Sequence, residues 1–124
     1  MTIPRDEILK GYTCRVKTGC GWTYITLNYN KEGKWFEVFV NMGKAGGCAT
    51  SQVEALRRLI SISLRKEVEI EDILRQLLGI SCYRSCLESK SCSDATAVSI
   101  QKCINLNEEE KKDEKEKTGL LHKL

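Results

Sequence analysis

Histidine is nearly absent from this chain, which excludes several kinds of site at the outset. The only histidine among 124 residues is His122, inside a charged C-terminal segment. A Ser-His-Asp catalytic triad is therefore excluded. No pair of acidic residues stands out as an acid-base couple either. Any zinc site in the body of the protein would have to be built from cysteines alone.

Long apolar runs are also lacking. Residues 1–10 contain no apolar run of about 7 to 15 residues, as a secretory signal would. No later stretch approaches the roughly 20 apolar residues that cross a bilayer. We therefore expect a cytoplasmic protein with no membrane partner, in a compartment that keeps thiols reduced.

The chain has no strong excess of charge of either sign. Its formal charge is +3 and its pI is about 8.5. Binding to nucleic acid is favoured when Lys and Arg cluster on one face at high pI, so the sequence does not favour a nucleic-acid partner. From Asn107 onward the charges are mixed and no apolar stripe remains. We predict an N-terminal arm (1–11), one domain (12–106) and a charged tail (107–124) that is either a solvated helical extension or flexible.

Three segments rich in β-branched and aromatic residues predict an antiparallel meander. They run from Tyr12 to Lys17, from Trp22 to Tyr29 and from Trp35 to Asn41, and polar or glycine-rich turns separate them. A sheet of only three strands needs a cover on its apolar face. Aromatic residues on its other side, with Trp22, Tyr24 and Trp35 as candidates, could form a docking face.

Apolar residues recur at helical spacing after the strands and predict helices that cover the apolar face of the sheet. A capping box at Ser51 predicts a first helix to about Lys66, and a second runs from Ile70 to Leu78 with Gly79 as its left-handed end. Ser93 is predicted to cap a third helix. The predicted fold is α+β, a three-stranded antiparallel sheet followed by three helices packed on one face.

The chain has seven cysteines, so they cannot all be paired with one another. Four of them occur at turns or helix starts, where the local field favours the thiolate, and we expect them to meet at one end of the sheet: Cys20, Cys48, Cys82 and Cys92. Such a set could hold zinc or an iron-sulfur cluster. Cys82 and Cys86, four residues apart, form a possible redox pair. Cys14 and Cys103 are expected to fill space.

A glycine-rich segment before the first helix has two interpretations. Its backbone N-H groups could bind an anion, with Lys44, Gly46, Gly47 and Arg57 as the residues involved. The segment does not match the nucleotide P-loop pattern. The alternative, which we favour, is that the glycines allow a sharp turn of the backbone.

Most of the chain resembles the TSCPD domain, which follows the catalytic barrel of adenosylcobalamin-dependent ribonucleotide reductases and also occurs alone. The resemblance rests on Lys17-Thr18-Gly19-Cys20-Gly21, on the run from Phe36 to Cys48 and on Ser91-Cys92-Ser93-Asp94-Ala95. Tyr83 and Ser93 stand where the family usually has proline. The family's four cysteines correspond to Cys20, Cys48, Cys82 and Cys92, and the family is suspected of binding metal.

The resemblance implies an accessory domain linked to deoxyribonucleotide synthesis. It would bind zinc and dock on a ribonucleotide reductase catalytic chain or another enzyme. Because the chain cannot form the reductase barrel, we expect neither catalysis nor cobalamin binding by this chain alone. Three alternatives remain: a thiol-disulfide relay using Cys82 with Cys86 or Cys92, an iron-sulfur scaffold, which it resembles more weakly, and a nucleotide or nucleic-acid module using Lys44, Arg57 and Arg58.

Overall fold

The computed structural model describes residues 3–43, 47–83 and 85–123, with side chains as far as residue 117. Three strands are followed by three helices, as predicted. The elements are β1 (Lys10–Thr18), β2 (Gly21–Tyr29), β3 (Trp35–Met42), α1 (Gly47–Arg65), α2 (Ile70–Leu77) and α3 (Cys92–Lys123).

The strands form an antiparallel sheet in the order β1-β2-β3. Residues that alternate along each strand face opposite sides, so the register decides which side chains are neighbours. Thr13 is paired with Thr26 across β1 and β2, and Leu27 with Val38 across β2 and β3. An irregularity between Asn28 and Tyr29 shifts the register near the start of β3.

The hydrophobic core lies between one face of the sheet and the helices. The helix α1 packs on β3, α3 packs on β1 and β2, and α2 packs on α3. Ile25, Leu27 and Val38 from the sheet and Ile100 from α3 are completely inaccessible. Burying aliphatic side chains of this size contributes about 1.5 to 3 kcal/mol each, so this layer holds the sheet and helices together. The predicted packing of the helices on one face is confirmed.

The start predicted for the first helix is wrong. Helix α1 begins at Gly47, so Ser51 lies inside the helix and does not cap it. Gly47 has φ of 87°, a conformation that glycine adopts without penalty, and the chain enters the helix there. Gly79 has the predicted positive φ, 85°, but it does not end α2 as a left-handed cap. The helix ends at Leu77, and the residue that follows, Leu78, is extended.

The cap predicted for the third helix is also wrong, by two residues. The hydroxyl of Ser91, not that of Ser93, accepts the backbone N-H of Asp94 at 3.0 Å, so Ser91 is the N-cap of α3. The Asp94 carboxylate then accepts the backbone N-H groups of Lys90 (2.9 Å) and Gly79 (2.8 Å). This aspartate joins the end of α2 to the start of α3. At its other end α3 continues through the charged segment to Lys123.

Candidate thiol site

A loop between α2 and α3 carries two cysteines and closes on itself through the backbone. The N-H of Cys82 donates to the carbonyl of Lys90 at 2.9 Å, and the N-H of Cys86 donates to the carbonyl of Ser89 at 2.9 Å. The N-H of Ser85 donates to the carbonyl of Cys82. These bonds hold the loop as a narrow turn that ends directly before Cys92.

The same loop is attached to the end of β1. The hydroxyl of Ser89 donates to the carbonyl of Lys17 at 3.0 Å, and the Lys17 N-H donates to the carboxylate of Glu88 at 3.0 Å. The Cys86 thiol lies 3.4 Å from the Lys17 carbonyl. A segment about 70 residues away in sequence is thereby placed beside the β1–β2 turn that contains Cys20.

Thr18 is the point where the turn and the helix start meet. Its buried hydroxyl donates to the Gly21 carbonyl at 2.9 Å and accepts the Cys20 N-H at 3.1 Å. The Cys92 Sγ lies 3.9 Å from the same hydroxyl oxygen. The backbone of Cys20 and the thiol of Cys92 therefore both contact the hydroxyl of Thr18.

Two of the other candidate thiols, Cys20 and Cys82, affect the pKa of Cys92. Burial raises the pKa of the Cys92 thiol, the hydrogen bond with Thr18 opposes that change, and Cys20 and then Cys82 raise the pKa further. The expectation that a helix start would favour the Cys92 thiolate is therefore wrong, because desolvation of the sulfur and the neighbouring thiols outweigh the local field.

The fourth candidate, Cys48, is not brought into this group. It is exposed in the first turn of α1. No hydrogen bond or thiol interaction found in the described part of the chain links it to the other three. The described residues contain no group of three or more His, Cys, Asp or Glu side chains arranged to hold a metal ion.

The remaining cysteines differ in their environments. Cys103 is buried in the core, and Cys14 is partly buried against it, as expected for cysteines that fill space. Cys86 is half-buried, and the backbone N-H groups of Ser89 and Glu88 lower the pKa of its thiol. Such donors stabilise the thiolate, which is the reactive form.

The candidate anion site lies only partly within the described residues. Lys44 and Gly46 fall outside them, and Gly47 is the turn into α1. Arg57 donates to both oxygens of Glu54, at 2.6 and 3.2 Å, and Arg58 donates to one of them at 3.0 Å. Both arginines are thus already paired with a carboxylate.

Two of the three aromatic residues proposed for a docking face are exposed on the side of the sheet away from the helices. Trp22 and Tyr24 retain 40% and 38% of their accessible surface. Trp35 packs instead against the core, with Tyr29 at an edge-to-face centroid distance of 5.6 Å. Phe39 joins the exposed pair at 43% exposure and was missed. Its position between Val38 and Val40 in an alternating strand could have revealed it.

Within the described residues, none of the helices combines the length and apolar character needed to cross a membrane. The fold and the thiol group define a small α+β domain with a cysteine-rich edge, which consists of Cys20, Cys82, Cys86 and Cys92. The chain belongs to the TSCPD domain family, whose family model matches residues 1–104 of the 124. No curated protein and no solved structure matches the chain.

Proposed function

We propose that the chain is an accessory domain whose cysteine-rich edge binds zinc and which docks on the catalytic chain of a ribonucleotide reductase or on another enzyme. The observation that supports this proposal is the influence of Cys20 and Cys82 on the thiol of Cys92, which lies next to Thr18. Membership of the TSCPD family is the reason to name a ribonucleotide reductase as the first partner to test.

The thiol group has the chemistry that a divalent metal stabilises. Neighbouring thiols make loss of the proton from Cys92 harder, and a bound cation reverses that effect because it holds the sulfurs as thiolates. Cys20, Cys82 and Cys92 would supply three of the ligands, and they would have to move closer together to do so, because the described residues form no group arranged to hold a metal ion. Cys48 would be the fourth ligand, and this requires the first turn of α1 to differ from its described position. An iron-sulfur cluster needs the same ligand type.

The surface next to these thiols suits protein docking. The segment from the end of α2 through the cysteine loop exposes Leu78, Ile80 and Leu87, the first two at 45% and the third fully. Single exposed apolar residues are common, but several along one loop are typical of an interaction surface. Because the loop also carries Cys82, metal binding would fix the conformation in which this surface meets a partner.

Metal analysis of protein purified without oxygen tests the site directly. We expect about one zinc per chain, and we expect its removal by a chelator to lower the melting temperature, because structural zinc contributes about 10 to 16 kcal/mol of apparent binding free energy. Cys92→Ser should lose the metal, whereas Cys14→Ser should retain it. Iron with sulfide would identify a cluster, and protein without metal whose stability is unchanged in Cys92→Ser would overturn the proposal.

Docking is tested with the catalytic chain of an adenosylcobalamin-dependent ribonucleotide reductase. Leu87→Ser should weaken its binding without changing the melting temperature, because the side chain is fully exposed. Leu59→Ser is a matched control, since Leu59 is 64% exposed on α1, away from the cysteine loop. Equal loss of binding in both variants would argue against this surface.

A thiol-disulfide relay is the second candidate, and the environment of Cys86 favours it. The lowered pKa of this thiol suits attack on a partner's disulfide. Cys82 would then resolve the mixed disulfide, so the two thiols give two electrons and two protons and are left as a disulfide. If alkylation of the native, reduced protein near neutral pH modified Cys86 no faster than buried Cys103, the relay would be rejected.

A further inference from the structure

The face of the sheet that points away from the helices carries an aromatic and cationic surface that the proposed function does not use. It consists of Trp22 and Tyr24 on β2, Phe39 on β3, and Arg15 and Lys17 on β1, which we call the outer platform. All five side chains are exposed. Polar residues such as Asn41 surround them.

The three rings occupy successive rows of the sheet. Trp22 is paired with Lys17, Tyr24 with Arg15 and Asn41, and Phe39 with Thr26. Residues two apart on a strand project from the same face about 7 Å from each other. The platform therefore presents rings at regular intervals along a diagonal from β2 to β3.

The platform carries positive charge that carboxylates do not cancel. In the described part of the chain neither Arg15 nor Lys17 forms an ion pair, and the Arg15 guanidinium lies 4.2 Å from the centre of the Trp22 ring. Glu37, on the same face, is held by Arg5 and its side chain is only 2% exposed. Glu88 lies at the edge, where it accepts the backbone N-H of Lys17.

A further cation borders the platform at Phe39. The Arg57 guanidinium lies 4.9 Å from the centre of that ring, although it also pairs with Glu54. For binding to nucleic acid, the arrangement of the cations on one face matters more than the net charge of the chain. A net charge of +3 is small, but the cations on this face are interleaved with aromatic rings.

We infer that the outer platform binds single-stranded nucleic acid, with bases stacked on the rings of Trp22, Tyr24 and Phe39 and phosphates near Arg15 and Lys17. Exposed rings on an open sheet are suited to unpaired bases, because every base has a flat face and stacking tolerates any sequence. Protein interfaces are also enriched in aromatic residues and Arg, so binding to single strands and its dependence on salt must distinguish a nucleic acid from a protein partner.

Fluorescence anisotropy of labelled oligo(dT) and oligo(rU) of about 15 nucleotides tests this inference on the full chain. Affinity should fall between about 50 and 200 mM salt, with a slope near −0.7 for each phosphate contact to a single strand. Arg15→Gln should reduce that slope by about 0.7. Arg75→Gln is the charge-matched control, because Arg75 is 72% exposed on α2 and off the platform, and it should leave the slope unchanged. Comparison of the two oligonucleotides distinguishes DNA from RNA as the ligand.

Substitution of Trp22 separates stacking from simple apolar contact. Trp22→Phe keeps a ring and should bind nearly as the parent does, whereas Trp22→Leu should bind about fivefold more weakly or worse. The fluorescence of Trp35 reports that both variants are folded. The inference is overturned if the parent does not bind, if duplex DNA of equal length binds as well, or if the leucine and phenylalanine variants bind equally. Metal content is measured in a separate experiment, so failure of this inference and failure of the proposed thiol site can be distinguished.

Discussion

At the scale of single residues, Glu37 explains how the N-terminal arm is attached. Its side chain is 2% exposed, and Arg5 donates to both carboxylate oxygens at 3.1 and 3.2 Å. Asn28 donates to the same group at 3.1 Å, and Arg65 lies 3.9 Å away. A buried carboxylate is costly without such partners, so the arm around Arg5 is part of the folded body.

Cys103 predicts how stability depends on pH. Burial raises the pKa of this thiol from 9.0 to about 11, and Cys14 adds to the effect. In the unfolded chain the thiol ionises near pH 9, whereas in the folded chain it stays protonated until about pH 11. The unfolded state therefore binds fewer protons in this range, and the free energy of unfolding falls as pH rises from about 9 to about 11.

Urea unfolding of the parent and of Cys103→Ala at about pH 8 and pH 10 measures this contribution. The parent should lose up to about 1.4 kcal/mol per pH unit above pH 9 from this one group. The variant should be less stable at pH 8, because a buried side chain is shortened, but should lose less between the two pH values. The raised pKa of Cys92 changes the pH dependence of stability in the same direction in both proteins, so it cancels when the two are compared. Identical pH dependence in the two proteins would contradict the prediction.

At the scale of elements, the start of α3 gives a matched pair of serines. The Ser91 hydroxyl accepts the Asp94 N-H, and Ser93 lies inside the first turn of the helix without that role. Ser91→Ala should lower the free energy of unfolding by about 1 kcal/mol, and Ser93→Ala should change it by less than about 0.5 kcal/mol. Denaturant unfolding measures both. A larger loss in Ser93→Ala would mean that the sequence-based cap was correct after all.

The elements also show what sequence periodicity can and cannot predict. The alternation in β1 to β3 and the apolar stripes of the helices predicted the sheet, its order along the chain and the face that the helices cover. Local cap patterns misplaced two helix starts, because Gly47 turns the chain early and Asp94 bonds to Gly79 and Lys90. A local motif contains no information about such distant partners.

The thiol site could be predicted only in part, because it too depends on contacts between residues that are distant in sequence. The positions of Cys20, Cys82 and Cys92 at turns and a helix start indicated that they could meet. Cys20 and Cys82 both act on the pKa of Cys92, but the described residues form no group arranged to hold a metal ion. The hydrogen bonds between the cysteine loop and Lys17 join residues about 70 positions apart, and no pattern in the sequence predicts them. The exposed position of Cys48 depends on the start of α1, and the start predicted from the sequence was wrong.

The far half of α3 differs from the rest of the fold. The Tyr12 hydroxyl donates to Glu110 at 2.6 Å and lies 3.1 Å from Asn107, which ties the helix to the sheet. From Lys111 to Lys117 every side chain is exposed. Helices with no buried face gain little stability from packing, so this part depends on its own propensity and charge pairs.

At the scale of the whole molecule, one core connects all three strands with all three helices. Its buried residues come from β2, β3, α1, α2 and α3, and Tyr12 and Cys14 of β1 pack against them. No second core exists among the described residues. We therefore expect the sheet and the helices to unfold together as one cooperative unit.

Ile100→Ala tests this cooperativity. Ile100 is completely buried on α3, opposite the sheet, so its truncation should lower the free energy of unfolding by about 2 to 5 kcal/mol. Tryptophan fluorescence reports on β2 and β3 through Trp22 and Trp35, while far-ultraviolet circular dichroism is dominated by the helices. Both transitions should shift to the same lower denaturant concentration. Leu59→Ala, at a site 64% exposed on α1, should leave both nearly unchanged. If the fluorescence transition stayed in place while the helical signal moved, the helices would be a separate unit and the single core would not govern stability.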